Sequence, residues 1–218
     1  MSLLSINVSA PKEVPYEGKT LLTGIYKEPI EGQVMLHTMG LDGDGQADLK
    51  AHGGTYKAVY VYSHDHYASW SQELGRDDFS YGQFGENFTV QGMLETDVLI
   101  GSIYRLGDVL VQVTQPRVPC FKLAHKMGIP TFVKTFMQSE RTGFYLRVLE
   151  EGNVRAGDTF ELVTPDPVGM SVRDIFYLLY FDKTNIEQVQ RAVQIEGMTP
   201  SWIESFQEIL GSKVESEK

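Results

Sequence analysis

The first candidate for chemistry is Cys120, the single cysteine of the chain, which lies in the segment QPRVPCFKLAHKMG. Pro116 and Pro119 restrict the backbone before it, and Arg117 lies three residues upstream. A nearby arginine favours the thiolate over the thiol, and so does the N-terminus of the helix predicted after Cys120. The cysteine is therefore a candidate nucleophile, sulfur carrier or metal ligand. The alternative is a buried, inert side chain that acts as a small hydrophobe.

A second candidate is the segment KAHGGTYKAVYVYS, in which two glycines stand between a histidine and a run of strand-forming residues. The N–H groups of paired glycines can form an anion-binding nest. Lys50, His52 and Lys57 would supply positive charge beside Gly53 and Gly54. A tight turn into a buried strand explains the same residues, so the sequence alone leaves both interpretations open.

The third polar cluster is the segment FGENFTVQG, in which Gly85, Glu86 and Asn87 precede a strand-like run. Taken alone, these residue types indicate a turn with a structural role. None of the three segments carries the glycine pattern of a dinucleotide site or of a P-loop.

Short strands separated by turns are predicted to position these segments, from the start of the chain to about residue 163. This pattern indicates a mainly β domain over 1–165, folded as a closed or nearly closed β-barrel. Helices are predicted to interrupt the barrel at SHDHYASWSQELG, CFKLAHKMG and TFVKTFMQS. Ser63 is the predicted N-cap of the first helix and Gly75 its stop, and Gly128 and Pro130 separate the other two. The predicted strands are LLSINVS, TGIYK, GQVMLH, KAVYVYS, NFTVQG, SIYRLG, DVLVQVTQ, GFYLRVLEEG and DTFELVT.

The composition changes after TPDPVG, where three short helical patterns follow. Ser171 and Asp174 are spaced as a capping box, Thr199 precedes Pro200 as a helix cap, and Gly211 is a stop signal. We therefore predict a small α-helical bundle over 168–212 and a disordered tail at 213–218. Since each helix has its own cap and apolar stripe, we expect this bundle to be separable from the chemistry.

Composition excludes several classes of partner. The 218 residues carry a formal net charge of −10, which disfavours binding to nucleic acid. No stretch of about eighteen apolar residues predicts a membrane span, and one cysteine cannot form an internal disulfide. We therefore expect a cytoplasmic protein with no membrane or nucleic-acid partner. A small anionic ligand would need a local basic pocket on this acidic chain.

Together, these segments resemble the MOSC-domain family, named for the C-terminal domain of molybdenum cofactor sulfurase. The resemblance rests on AHGGTYKAVYVYS, FGENFTV, QPRVPCFKLA and GFYLRVLEEGNVRAGD, which occur in that order and extend over roughly residues 20–163. The C-terminal helices resemble the three-helix extension of stand-alone bacterial members. One departure is Thr55-Tyr56, where many members carry Pro-Asp.

The resemblance implies a β-barrel that binds the molybdopterin form of the molybdenum cofactor, with the single cysteine as the metal ligand. That role falls on Cys120, which is also the implied catalytic residue, and a soft thiolate suits such a metal centre. Cationic side chains would hold the phosphate of the cofactor. The implied cofactor-binding residues are His52, Gly53, Gly54, Lys57, Glu86, Asn87, Arg117 and Arg147.

Members of this family reduce N-hydroxylated compounds such as amidoximes and hydroxylaminopurines, or take part in cofactor sulfuration. We therefore expect an oxidoreductase for a small N-hydroxylated substrate. Its electrons would come from a separate redox protein, since the chain has no flavin fingerprint, haem motif or cysteine set for an iron–sulfur cluster. The alternatives are a sulfur carrier with a Cys120 persulfide and a non-catalytic cofactor carrier or chaperone. The apolar faces of the C-terminal helices need a covering surface, which the barrel, a homodimer partner or the electron donor would supply.

Overall fold

The structure, a computed structural model, describes residues 1–45, 47 and 53–216, with the backbone alone for 213–216. It is dominated by β-structure, as predicted. The strands, numbered in chain order, are β1 (Ser2–Val8), β2 (Lys12–Tyr16), β3 (Lys19–Thr23), β4 (Glu28–Ile30), β5 (Gln33–His37), β6 (Gly40–Leu41), β7 (Val59–Ser63), β8 (Phe88–Gln91), β9 (Ile103–Leu106), β10 (Val109–Pro116), β11 (Phe144–Glu150), β12 (Gly152–Arg155) and β13 (Phe160–Thr164).

Eight strands form one sheet in the order β13-β9-β10-β11-β7-β8-β1-β4, so among the described residues the ladder has two edges and is not a closed barrel. The sheet nevertheless comes close to closing, because the start of β1, which β4 leaves uncovered, meets the start of β13. Leu3 N–H donates to the Asp158 carbonyl at 2.9 Å, and Phe160 N–H donates to the Met1 carbonyl at 3.0 Å. Strand β4 pairs with the other end of β1, at Ile6, which limits closure to the first residues of β1.

The central strand β7 is buried on both faces and separates two hydrophobic cores. Val59 and Val61 belong to a mainly aliphatic core inside the curved sheet. Tyr60 and Tyr62 point the other way, into an aromatic core that includes Trp70. This division follows from the alternation of side chains along a strand.

Three helices cover the aromatic core: α1 (Tyr67–Leu74), α2 (Phe121–Met127) and α3 (Phe132–Gln138). Helix α1 links the parallel strands β7 and β8. It follows a 3-10 turn in which the Ser63 hydroxyl accepts the Asp65 N–H, so the predicted cap is confirmed. The predicted stops are confirmed as well, since Gly75 and Gly128 adopt left-handed conformations with φ of 63° and 69°.

The strand predicted at TGIYK is wrong beyond Thr23, where β3 ends. Strand β3 pairs with β2 in a separate hairpin, and residues 24–27 then run without strand pairing. Side chains hydrogen bond to this segment in place of a neighbouring strand. The Thr23 hydroxyl accepts the Ile25 N–H at 3.2 Å, and Lys126 Nζ donates to the Ile25 carbonyl at 3.1 Å.

Three helices follow the sheet: α4 (Val172–Tyr180), α5 (Ile186–Ala192) and α6 (Pro200–Ser216). The capping box of Ser171 and Asp174 is confirmed. Thr199 precedes Pro200 at the start of α6 as predicted, and its carbonyl accepts the Trp202 N–H at 2.9 Å. Its buried hydroxyl, however, has no hydrogen-bond partner among the described residues and makes no cap bond. The stop predicted at Gly211 is wrong, since α6 continues to Ser216 without a left-handed glycine. Helix α6 thus enters the predicted tail at 213–218, of which 217–218 lie outside the described residues.

The C-terminal helices complete the aliphatic core of the sheet. Phe176 and Trp202 belong to the same cluster as Val59 and Val61. Backbone hydrogen bonds also join the two parts: Val172 N–H donates to the Val98 carbonyl at 2.8 Å, for example. The helix caps visible in the sequence predict where these helices begin. They do not predict which surface the helices pack against.

None of the helices in the described part of the chain combines the length and the apolar character needed to cross a bilayer.

Candidate functional site

A cleft opens beside Cys120, where β10 ends and α2 begins. Its empty volume is about 660 Å³, part of which is open to solvent. Segments that are far apart in sequence line the cleft, with members among residues 23–27, 44–47, 57–60, 85–87 and 117–122, and Tyr145 of β11.

Cys120 lies at the N-cap of α2, with an extended backbone at φ −128° and ψ 174°. Its carbonyl accepts the Leu123 N–H at 2.9 Å, which starts the seven-residue helix. The side chain is partly exposed and lines the cleft. The structure therefore places the thiol where a ligand can reach it, and not in either hydrophobic core.

Arg117 lies in the same wall and is almost entirely buried, with 6% of its surface exposed. The guanidinium carbon is 5.0 Å from the ring centre of Tyr60 and 5.3 Å from that of Phe136. Stacking on aromatic faces holds the group in place without using its hydrogen-bond donors.

One of these donors remains available, because Arg117 Nη1 is buried and has no hydrogen-bond partner among the described residues. Burial by itself would lower the pKa of Arg117, but the nearby Tyr60, Tyr145 and Cys120 outweigh burial and raise it above its ordinary value. A buried, charged donor without an acceptor is costly. An anionic ligand in the cleft would supply the acceptor.

Two lysines add positive charge to the cleft. Lys57 ends a 3-10 turn, Thr55–Lys57, directly before β7, and burial lowers its pKa. Lys122 lies two residues after Cys120, in the first turn of α2. The cleft thus provides a local cationic surface on a chain whose net charge is −10.

Sequence reasoning missed an ion pair in the opposite wall of the cleft. Lys27 Nζ lies 2.5 Å from Asp44 Oδ1, and both side chains are more than nine-tenths buried. Burial lowers the pKa of Lys27, and the Asp44 carboxylate partly offsets this effect. Asp44 is held by Ser9 N–H at 2.9 Å and by Asn87 Nδ2 at 2.9 Å. The only sequence signal was a pair of glycines: a Cβ on Gly24 would overlap the carbonyl oxygen of Gly45.

Asn87 and Glu86 were predicted together, but the structure assigns them to different places. Asn87 lines the cleft, and its Oδ1 accepts the Tyr60 N–H at 3.1 Å. Glu86 is fully buried behind the wall. Its carboxylate accepts hydrogen bonds from the Gly82 and Phe84 N–H groups, each at 2.9 Å, and from two hydroxyls, those of Thr89 and Tyr67. The hydrogen bonds that the Glu86 carboxylate can accept are therefore filled by the protein itself.

Three of the remaining predicted residues, Gly53, Gly54 and Arg147, are not among the described residues that line the cleft. Gly54 precedes the Thr55–Lys57 turn with φ of 96°, and no atom of the described residues lies within 4 Å of a Cβ built there. Arg147 lies further along β11, where Nε donates to Gln112 Oε1 at 2.7 Å and the guanidinium stacks on Tyr56 at 5.1 Å. His52 and Lys50 lie outside the described residues.

Comparison with known families assigns the two parts of this chain. Residues 48–161 match the MOSC domain, and residues 170–210 match the YiiM-like 3-alpha helix domain. The chain belongs to the MOSC domain family. The resemblance inferred from the motifs, including the C-terminal helices, is thereby confirmed.

Several MOSC relatives share most of this chain. It is 44% identical over 205 residues to the uncharacterized protein YflK of Bacillus subtilis (strain 168), covering 94% of this chain and 92% of that protein. The crystal structure of YiiM from Geobacillus stearothermophilus is similar, with a TM-score of 0.81 and 34% identity over 96% of this chain and 98% of that chain. A protein named Reductase from Gibberella moniliformis (strain M3125 / FGSC 7600) is 40% identical over 149 residues, covering 67% of this chain and 26% of that protein.

The MOSC match contains Lys57, Asn87, Arg117 and Cys120 but starts after the Lys27–Asp44 pair. The opposite wall of the cleft therefore comes from the part of the chain before the matched residues. Its contribution is visible only in the folded structure.

Proposed function

We propose that the cleft binds the molybdenum cofactor, with Cys120 as the ligand to the metal. The observation that carries this proposal is that Nη1 of Arg117, in the same wall as the only thiol of the chain, is buried and has no hydrogen-bond partner among the described residues. Membership of the MOSC domain family supports it. The donor set fits a cofactor with a soft-ligand metal at one end and a phosphate at the other.

Different residues of the cleft would hold different parts of the cofactor. Cys120 would hold the metal at the start of α2, while Arg117 and Lys57 would face the phosphate. Tyr60 and Tyr145 line the cleft with their rings, and burial raises the pKa of each hydroxyl, so both stay neutral and uncharged. Such a wall limits the access of water and strengthens the attraction between the cations and an anionic ligand.

We further propose that the loaded protein reduces small N-hydroxylated compounds. When bound, the cofactor supplies two-electron oxygen-atom chemistry. In the overall reaction the N–O bond breaks, two electrons and two protons are consumed, and the oxygen leaves as water. The electrons would come from a separate redox protein. The relative named Reductase supports this class of activity, through a region that is 40% identical to this chain.

The test is an activity assay on protein made in a host that synthesises the cofactor. A hydroxylaminopurine and an amidoxime would be supplied with reduced methyl viologen as the electron donor. We expect reduction of at least one to the corresponding amine or amidine by the wild type, and none by Cys120→Ser. If the Cys120→Ser variant keeps full reductase activity, the proposal is wrong. Stoichiometric molybdenum without turnover of either compound would favour a carrier role over a reductase.

A further inference from the structure

The turn at residues 139–143, between α3 and β11, holds two residues of the cleft wall at once. The backbone N–H of Arg117 donates to the Gly143 carbonyl at 3.1 Å. The Tyr60 hydroxyl donates to the Thr142 carbonyl at 2.9 Å. Because the Arg117 guanidinium stacks on the ring of Tyr60, a displacement of this turn would move both partners of that stack.

A buried carboxylate outside the cleft holds the turn from behind. Glu95 is 4% exposed, and its Oε1 accepts the Gly143 N–H at 2.7 Å. Its other oxygen, Oε2, lies 2.6 Å from His66 Nε2. Position 143 also requires glycine, since φ is 69° and a Cβ would overlap the Val61 carbonyl oxygen. A hydrogen bond to a buried carboxylate is among the stronger ones, so Glu95 restrains Gly143 firmly.

The first turn of α4 reaches the same region from the C-terminal helices. The backbone N–H of Arg173 donates to the Glu95 carbonyl at 2.8 Å. Its side chain pairs with Glu140, with Nε 2.5 Å from Oε2. Glu140 is one of two non-glycine residues with positive φ among those described, at 57°. A non-glycine residue in this conformation needs surrounding contacts to maintain it, and Arg173 supplies one.

We propose that Glu95 is a positioning residue of the cleft, which acts through Gly143 to hold Arg117 beside Cys120, and that Arg173 of α4 supports the same turn. This inference rests on the proposed function in one respect only: it takes Arg117 as the group that attracts an anion. It gives the C-terminal helices a part in shaping the site, although none of their described side chains lines the cleft.

The single cysteine offers a direct probe of this geometry in the full chain. Iodoacetamide is neutral and iodoacetate is an anion, but both are attacked by the same thiolate, which forms an S–C bond as iodide leaves. The ratio of the two rate constants at Cys120, measured by mass spectrometry, cancels the thiolate fraction and reports the local positive charge. Since a local field changes the encounter rate of a small ion by tenfold or more, we expect Arg117→Met to lower the ratio of iodoacetate to iodoacetamide reactivity by about fivefold or more.

Glu95→Ala should lower this ratio by about threefold or more, because Gly143 loses its acceptor and Arg117 is no longer held. Glu95→Gln should restore the wild-type ratio, since an amide oxygen still accepts the Gly143 N–H. The matched control is Ser102→Ala, which removes another buried acceptor, that of the Asp166 N–H at 2.9 Å, away from the turn. It should leave the ratio unchanged.

A folded Glu95→Ala protein with the wild-type ratio overturns the inference. Should that variant not fold, Arg173→Ala replaces it, with Arg105→Ala as a control that breaks a similarly exposed Arg–Glu pair, Arg105–Glu150. We expect the iodoacetate-to-iodoacetamide ratio to fall by about twofold for Arg173→Ala alone, and equal ratios in the two variants would overturn the inference.

If Arg117→Met lowers the ratio and the Glu95 and Arg173 variants do not, only the positioning role fails. If Arg117→Met has no effect, the proposed anion site fails with it.

Discussion

Two polar segments flank the cleft and use their charged residues in opposite ways. In FGENFTVQG, the carboxylate of Glu86 accepts hydrogen bonds from two backbone N–H groups and two hydroxyls, so its hydrogen-bonding capacity is filled by the protein itself. In QPRVPCFKLA, Arg117 is equally buried but Nη1 has no partner among the described residues. The first segment is complete without a ligand, and the second is not.

This difference distinguishes residues that build the site from residues that are able to bind a ligand in it. A buried group whose hydrogen bonds are all made stabilises the fold, whereas a buried charge with a spare donor costs stability until a ligand arrives. Motif membership does not distinguish the two, because both segments carry the family resemblance. Substitutions in each of the two segments test this distinction.

The largest expected effect is the loss of stability in Glu86→Ala. Removing the carboxylate leaves the Gly82 and Phe84 N–H groups buried without an acceptor. We expect the free energy of unfolding to fall by about 3 to 5 kcal/mol, which lowers the melting temperature by roughly 10 °C or more in a chain of this size. Thermal unfolding followed by circular dichroism measures this change.

The control for this prediction is Glu73→Ala, since Glu73 is an exposed carboxylate that pairs with Arg141. Exposed ion pairs contribute about 0 to 1 kcal/mol, so this variant should melt close to the wild type. Equal melting temperatures for Glu86→Ala and Glu73→Ala would contradict the structural role of Glu86.

The next effect concerns Lys126, which lies two residues after the second segment and hydrogen bonds to the backbone two residues before the first. It lies in α2, and its Nζ donates to the Gly82 carbonyl at 2.6 Å and the Ile25 carbonyl at 3.1 Å. Burial lowers the pKa of Lys126 to about 8. In the unfolded chain the amine keeps its ordinary pKa of about 10.4, so between these values the unfolded state binds more protons. Stability contributed by this residue therefore rises with pH across that window.

We expect the free energy of unfolding of the wild type to rise relative to Lys126→Met by about 3 kcal/mol between pH 7.5 and 10.5. Urea unfolding at several pH values gives the difference directly, and other titrating groups cancel in the comparison. Parallel curves for the two proteins would show that the amine is not perturbed by burial.

The smallest of these effects on free energy is expected for Arg117→Met, which tests the other side of the comparison. The methionine side chain keeps contact with Tyr60 and Phe136 but removes the charge. Retention of the cofactor should fall by about tenfold to hundredfold, or about 1.4 to 2.7 kcal/mol, while the melting temperature changes by no more than a few degrees. A large loss of stability with full cofactor retention would assign Arg117 to the fold instead.

How far the sequence predicted the site can be judged from its two walls. Cys120, Arg117 and Lys57 were identified because their segments combine glycine, proline and charge in a pattern that indicates chemistry. Lys27 and Asp44 were missed, since each resembles an ordinary surface charge in its local sequence. Only the fold brings them within 2.5 Å of each other, across a close approach of two backbone segments.

The same limit explains the errors in the fold. Local signals correctly predicted most strands and the helix ends at Gly75 and Gly128. They did not predict that TGIYK would leave the sheet, because one of the groups that hydrogen bond to its backbone, Lys126, comes from a helix a hundred residues later. They also did not show that the C-terminal helices share a core with the sheet, because that core is a tertiary feature.

The most direct test of the central claim is the molybdenum and pterin content of wild type and Cys120→Ser, both made in a host that synthesises the cofactor. We predict close to one molybdenum and one pterin per chain for the wild type. The serine variant should fold normally and lose most of the metal, since a hydroxyl is a poor replacement for a soft thiolate ligand. Equal molybdenum contents in the two proteins, or wild-type protein without pterin, would contradict the account.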